Sequence, residues 1–251
     1  MKNILLKIAY DGTGFSGWQR QSESRTVCGE IERVLSSLTG EDIKLDGTSR
    51  TDAGVHALGQ CASFKADIKI PAENLAKAIN DVLAKDRREG IGEIRVLEAR
   101  EMPEDFHARF SSKGKRYLYR IRYAADPDVF CRNYCYQIQK DLDIQAMSVA
   151  AEYIKGEHDF ACFQSAGSPK ESTVRTVYDI EVEGDGRNAV ISVSRNGFLY
   201  NMVRIIAGTL VEAGLGKRTP ESVEEALASC DRQKAGHVAP PQGLYLDEVF
   251  F

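Results

Sequence analysis

Tyr10-Asp11-Gly12-Thr13-Gly14-Phe15-Ser16-Gly17-Trp18-Gln19-Arg20-Gln21, residues 10 to 21, separates an apolar run from a helix, and the class of fold turns on how it is read. Residues 12 to 17 fit the pattern G-x-G-x-x-G, and Ile4 to Tyr10 ahead of them read as a strand. A dinucleotide fingerprint needs a helix that begins inside the motif, so that its N-terminus faces the pyrophosphate. Here helical spacing waits for Val27, with Thr26 as N-cap. Val27, Ile31, Val34, Leu35 and Leu38 fall on one face, and Gly40 closes the run. The stretch is therefore a glycine-rich turn whose Trp18, Gln19, Arg20 and Gln21 are expected to reach a ligand. The βαβ repeat of a doubly wound parallel sheet is absent.

Outward from that turn the order of elements becomes regular. Ile43 to Thr48 and Leu58 to Phe64 read as short strands around a loop, and Pro71 opens a helix with Leu75, Ile79, Val82 and Leu83 on one face. Ile91 to Leu97 is the next strand. The second half repeats the theme: strand Lys115 to Tyr123, a helix stripe at Ile144, Met147, Ala151 and Ile154, and a hairpin of Val174 to Val182 with Ala189 to Ser194 around Gly184-Asp185-Gly186. Helices at Phe198 to Ala213 and Pro220 to Ala228 and a strand at Leu244 to Phe250 follow. A linker is expected near Glu101 to Phe106, dividing residues 1–105 from 106–251. βαββαβ is the split-βαβ, ferredoxin-like order. The expected class is α+β: two ferredoxin-like halves with antiparallel sheets merging into a central sheet and helices on one face.

The 251 residues carry 33 Lys+Arg and 37 Asp+Glu, a net charge of −4, with 43% hydrophobic and 28% charged residues. That composition belongs to a folded globular protein and excludes a disordered chain. The apolar run Met202 to Leu210 contains Arg204 and is far short of the about 20 residues that cross a bilayer. Lys7 interrupts the N-terminal apolar run, which reads as a strand and not as a signal peptide. Cys28, Cys61, Cys131, Cys135, Cys162 and Cys230 contain no C-x-x-C, and the four histidines show no ligand spacing, so free thiols are expected and a metal is not.

Three segments concentrate chemistry. Gly47-Thr48-Ser49-Arg50-Thr51-Asp52-Ala53-Gly54-Val55-His56-Ala57 holds a guanidinium, a carboxylate and an imidazole within seven residues, between two strands. On composition alone it reads as a hairpin turn with Asp52 forming an Asx-turn and Arg50 in a surface ion pair. A nearby cation would allow Asp52 to act as a nucleophile. From His107 to Ala125 six cations (Arg109, Lys113, Lys115, Arg116, Arg120, Arg122) occur with no acid, interleaved with aromatics. Alternation puts Tyr117, Tyr119, Ile121 and Tyr123 on one face and Arg116, Leu118, Arg120 and Arg122 on the other. That is either an edge strand over a tyrosine-lined core, or a surface for phosphates and unstacked bases. Arg204 sits in an apolar helix, where it either snorkels or pairs with a buried carboxylate, Asp52 being a candidate.

Six collinear blocks resemble the TruA family of tRNA pseudouridine synthases: Tyr10 to Thr13 with Gly17 to Gln21, Ser49 to Ala57, Lys115 to Tyr119, Gly156 to Phe160, Phe198 to Gly208, and Pro241 to Leu246. Ser49 stands where the commonest family form has Gly. The resemblance implies isomerisation of uridine to pseudouridine at positions 38, 39 and 40 of the tRNA anticodon stem-loop. It also implies a homodimer spanning the tRNA, a cleft between the halves, a cytoplasmic location, and no cofactor or metal. It makes Asp52 the catalytic aspartate, attacking C1′ or C6 or assisting a glycal intermediate. Arg50 occupies the space of the flipped base, Tyr117 stacks on the uracil and relays the C5 proton, Arg204 pairs with Asp52, and Leu244 lines the pocket. Arg20, Gln21 and His56 are the further expected substrate contacts. Two other classes fit the residues less well. An RNA-binding module has no need of Asp52 and Arg204, and a metal-dependent nuclease wants clustered carboxylates.

Overall fold

The computed structural model describes residues 1–85, 92–167 and 172–251. The chain forms two compact units, Met1–Lys113 with Leu246–Phe251, and Gly114–Tyr245. Both are mixed α+β, with strand pairing that is mostly antiparallel.

In the first unit β1 (Lys2–Tyr10) is central, paired antiparallel with β3 (His56–Ala66) and β4 (Ile94–Met102). Helices α1 (Val27–Thr39) and α2 (Ala72–Lys85) supply the remaining apolar faces. Ile4, Leu6 and Ile8 of β1, Ile31 and Leu35 of α1, and Leu75 and Ile79 of α2 are fully buried. Each such side chain contributes roughly 1.5–3 kcal/mol relative to exposure. The α1 boundaries follow its capping residues: Thr26 Oγ1 accepts from Gly29 N–H, and Gly40 ends the helix at φ 77°.

The strand expected at Ile43 to Thr48 shrinks to β2, Asp46–Gly47, paired with β3. The reason is where its backbone bonds go. Ile43 N–H donates to Ser36 Oγ (3.2 Å) and Leu45 N–H to the Glu32 carboxylate (2.9 Å), so α1 side chains take the place of a ladder. Ile43 and Leu45 are still buried, which is why the sequence pattern reads as strand. The strand expected at Ile91 to Leu97 is β4, beginning at Ile94; Ile91 lies outside the described residues. Asn80 of α2 brackets it, donating to Val96 O (2.8 Å) and accepting from Val96 N–H (2.9 Å).

The segment after β4 is tied to the first unit by specific bonds. Asn3 Nδ2 donates to Pro103 O (2.7 Å) and Phe106 O (2.8 Å), and Ala108 N–H donates to Ser63 Oγ (3.0 Å). The Phe106 and Phe251 rings meet at 5.1 Å.

In the second unit β5 (Gly114–Tyr123) pairs antiparallel with β9 (Asn188–Arg195), β9 with β8 (Val174–Gly184), and β8 with β7 (Gly156–Asp159). β6 (Tyr136–Ile138) runs parallel to β5. β6 and β7 were not expected; three and four residues are too few to show a period. The helices are α3 (Ile144–Glu152), capped by Asp143, α4 (Met202–Gly214) and α5 (Ser222–Ser229). Ile154 of the expected α3 stripe lies beyond the helix, yet it is buried. The expected helix start at Phe198 is corrected to Met202, because Asn201 is left-handed (φ 60°) and breaks the helical backbone ahead of it. The hairpin turn is as expected: Gly186 has φ +88°, and Asp185 Oδ1 accepts the Arg187 and Asn188 N–H groups. β10 (Leu244–Phe250) closes the chain, Leu244 and Tyr245 belonging to the second unit and the rest to the first.

No helix among the described residues is long and apolar enough to cross a membrane.

Candidate active-site residues in each unit

The loop Thr48 to Val55 joins β2 to β3, and nearly every bond fixing its backbone comes from a buried group. Thr48 N–H donates to Cys61 O (2.8 Å), Gln60 Nε2 to Ser49 O (2.7 Å), and Trp18 N–H to Thr51 O (3.0 Å). The Tyr10 and Thr51 hydroxyls share a 2.7 Å hydrogen bond. Val55 N–H closes a turn on Asp52 O (3.1 Å), so the turn at Ala53-Gly54 is closed by backbone. On this fixed loop Arg50 is exposed and Asp52 half-buried.

The glycine-rich turn earlier in the chain has a structural purpose here. Gly17 has φ +90°, and a Cβ on it would lie 2.5 Å from Thr51 O. A Cβ on Gly12 would fall on the Val55 carbonyl, and one on Gly47 on the Trp18 indole. These glycines let two backbones meet around the Asp52 loop. Trp18, expected to reach a ligand, is instead 2% exposed and stacks with Tyr10 at 6.0 Å; it is too large and apolar to leave in water beside that contact. Gln19, Arg20 and Gln21 are exposed. Arg20 pairs with Glu32 (3.2 Å), and Gln21 Nε2 donates to Ser16 O (3.2 Å).

His56 is 2% exposed. Its Nδ1 lies 3.1 Å from Gly12 N and 3.2 Å from Asp11 Oδ1. Unprotonated, that nitrogen accepts from Gly12 N–H; protonated, it donates to Asp11. Asp11 also accepts from the Thr13 N–H (2.9 Å) and hydroxyl (2.6 Å). The imidazole thus fastens the glycine-rich turn to the start of β3.

In the second unit the faces of β5 are as alternation predicts. Tyr117, Tyr119, Ile121 and Tyr123 are buried, and Arg116, Leu118, Arg120 and Arg122 half-buried. Tyr119 donates to Pro240 O (2.7 Å), and burial pushes its phenol far above the usual range, so it is structural. Gly243 presses on the same ring: a Cβ there would lie 2.7 Å from Tyr119 Cζ. Tyr117 meets Phe198 edge-on at 4.9 Å and 79°. Arg120 lies 4.2 Å over the Tyr245 ring. Leu244 is buried at the head of β10.

Arg204 is half-buried in the first turn of α4. Its Nε donates to Ala239 O (2.7 Å) and Nη1 to Asn201 Oδ1 (3.0 Å), while Ala239 N–H returns a bond to Arg204 O (3.0 Å). These contacts hold the guanidinium at a set angle.

Arg195, fully buried at the end of β9, escaped the sequence reading because nothing local marks it. Among the described residues no group of three or more His, Cys, Asp or Glu is placed to hold a metal ion. All six cysteines are free thiols. Burial pushes Cys28 and Cys162 up to about 12 and Cys61 up to about 11, which makes them poor nucleophiles.

The sequence profile of a family described as tRNA pseudouridine synthase matches residues 7–111 and 150–251. The chain is 47% identical over 251 residues to tRNA pseudouridine synthase A of Thermoanaerobacter sp. (strain X514), with all of both chains covered. It is 46% identical over 252 residues to the protein of that name from Ruminiclostridium cellulolyticum, and 43% over 251 to tRNA pseudouridine synthase A 2 of Clostridium perfringens, again with full coverage of each. One chain of a solved Cbf5-Nop10-Gar1 complex aligns with 96% of this chain and 57% of its own at 15% identity and a TM-score of 0.35, too low to carry an argument. Full-length identity at this level, with a family profile that covers both the Asp52 loop and the Arg204 helix, shows that the chain belongs to the TruA family of tRNA pseudouridine synthases, enzymes that isomerise uridine to pseudouridine in tRNA.

Proposed function

We propose that this enzyme acts on uridines 38, 39 and 40 of the tRNA anticodon stem-loop, with Asp52 as the nucleophile. The observation that carries the proposal is the Asp52 loop itself. Its backbone is bonded by Trp18 and Gln60 and its Thr51 hydroxyl by Tyr10, while Arg50 stays exposed and Asp52 half-buried. A carboxylate that must meet one carbon of a flipped nucleotide needs such a fixed support.

The reaction breaks the C1′–N1 bond and forms C1′–C5, with the C5 proton lost and N1 reprotonated. The base must first leave its stack, which costs a few kcal/mol. Arg50 fills the vacated space. Asp52 adds to the nucleotide at C1′ or C6, or assists a glycal. Tyr117 gives the uracil a stacking surface and is the candidate relay for the C5 proton. Arg204, its angle set by Ala239 and Asn201, is the counter-charge that keeps the nucleophile ionised. Leu244 lines the base pocket. Arg20, Gln21 and the Arg116, Arg120 and Arg122 row contact RNA. His56, being buried, serves the loop from behind. Family resemblance supports a homodimer working in the cytoplasm where tRNA is used, and, with the βαββαβ order of the first half, ferredoxin-like halves 1–105 and 106–251.

Asp52→Asn tests the proposal. It is expected to lower pseudouridine formation at positions 38–40 by at least about 10³-fold while tRNA binding survives. Single-turnover activity near that of wild type would remove Asp52 from the mechanism. Full activity in EDTA is expected alongside.

A further inference from the structure

The buried face of β9 runs Ala189, Ile191, Val193 and then Arg195, a cation at a register position where an apolar side chain would continue the pattern. Arg195 is 0% exposed. Its Nη1 donates to Met202 Sδ (2.9 Å) and Nη2 to Asn196 Oδ1 (3.2 Å), and Nε has no hydrogen-bond partner among the described residues. No carboxylate pairs with it among those residues. Burial, with Arg175 second, pushes the guanidinium down to about 9, which leaves it charged at neutral pH. A buried cation held by a thioether and one amide is expensive, since no carboxylate among the described residues balances its desolvation. Stability alone would favour an apolar side chain at this place.

One contact remains, and it points toward the reaction. The Arg195 guanidinium lies 5.0 Å over the Phe198 ring, and Phe198 meets Tyr117 edge-on at 4.9 Å and 79°. The two contacts meet the Phe198 ring differently, one at the Tyr117 ring and one over its face. A cation over the ring face favours one orientation of that face, and the planar guanidinium is itself held by Met202 and Asn196 on either side of Phe198 in sequence.

We propose that Arg195 is a positioning residue: through Phe198 it fixes the plane of the Tyr117 ring against which the target uracil stacks, and so sets the rate of isomerisation without touching the substrate. This rests on the stacking role given to Tyr117 above.

The test uses full-length enzyme with 3-fluorotyrosine at its ten tyrosines, the Tyr117 resonance being identified by its loss in Tyr117→Phe. Arg195→Met is expected to move that resonance, to lower kcat on tRNA by about tenfold to a hundredfold, and to leave KM within twofold and Tm no lower than wild type. Phe198→Leu is expected to act in the same sense, with the double variant little worse than either single one, since both act through one chain of contacts. An unmoved Tyr117 resonance overturns the proposal, as does a Tm loss with kcat per folded molecule unchanged. A moved resonance with wild-type kcat also overturns it, provided Tyr117→Leu is inactive. If Tyr117→Leu itself keeps wild-type kcat, the stacking role is what fails. Should Arg195→Met not accumulate folded, Arg195→Lys carries the test: a moved resonance and a several-fold lower kcat support the proposal, and wild-type values of both overturn it.

Discussion

Gly17 shows how much one missing Cβ can decide. At φ +90° and with Thr51 O in the way, Gly17→Ala meets both a backbone penalty and a clash. The expected cost is roughly 2 kcal/mol or more, and because the clash falls on the Asp52 loop, kcat should fall further than the lost stability explains. Chemical denaturation and single-turnover assays on one preparation check this; a variant with wild-type kcat would mean that the loop does not need the close approach. Arg204 is the opposite case, a residue whose contacts are made through its charge and its plane. Arg204→Met is expected to lower kcat by about 10²-fold or more with tRNA affinity within a few fold, read by single-turnover kinetics and filter binding. An equal loss of both would make it a phosphate contact. Arg50, Asp52, Tyr117 and Arg204 are proposed from the sequence, because family motifs are strings of neighbours. Gln60, whose side chain donates to Ser49 O, and Arg195, buried beside Phe198, carry no local mark.

At the level of elements, periodicity located α1, α2 and α3, and capping chemistry set α1 to the residue. Thr26→Ala should cost about 1 kcal/mol of stability, measured by urea denaturation, with little change in kcat. The extended strap from Ala235 to Pro240 has no period and was not foreseen. It is fastened along α4: Gly236 N–H donates to Thr209 Oγ1 (2.8 Å), His237 N–H and Nδ1 bond Glu212 Oε1 (3.0 and 2.9 Å), and Ala239 bonds Arg204. Burial pushes the Glu212 carboxyl up, but the His237 bonds and the Arg218 cation outweigh it, and the net displacement is downward. A carboxylate lowered in the folded state stabilises above its unfolded value and loses that contribution as pH falls through the folded one. Glu212→Gln should therefore flatten part of the acid-side fall in stability, and hydrogen exchange at His237 and Ala239 should quicken near neutral pH. Unchanged exchange would show the strap to be held by other bonds.

For the molecule as a whole, a net charge of −4 coexists with a polyanionic substrate because charge is unevenly placed along the chain. Arg116, Arg120 and Arg122 share one face of β5, with no acid between His107 and Ala125. Binding to tRNA should weaken steeply with salt, and Arg116→Gln and Arg122→Gln should each reduce the slope of log K against log salt by about 0.7–0.9. A slope equal to wild type would place the RNA elsewhere.

By itself the sequence determined the α+β class, the helices, the long strands, the two faces of β5 and the family motifs, since all of these are written in residues a few positions apart. Only the tertiary structure decided that the glycine-rich turn is a backing for the Asp52 loop, that Trp18 and His56 are buried behind it, and that residues 103 to 108 are bonded to β1 and β3. It also placed a buried cation behind Phe198 and Tyr117. The physical reason is that burial periodicity is a local property of the chain. The close approach of two backbones, or of a guanidinium and a ring, depends on strand register and turn geometry that bring distant residues together.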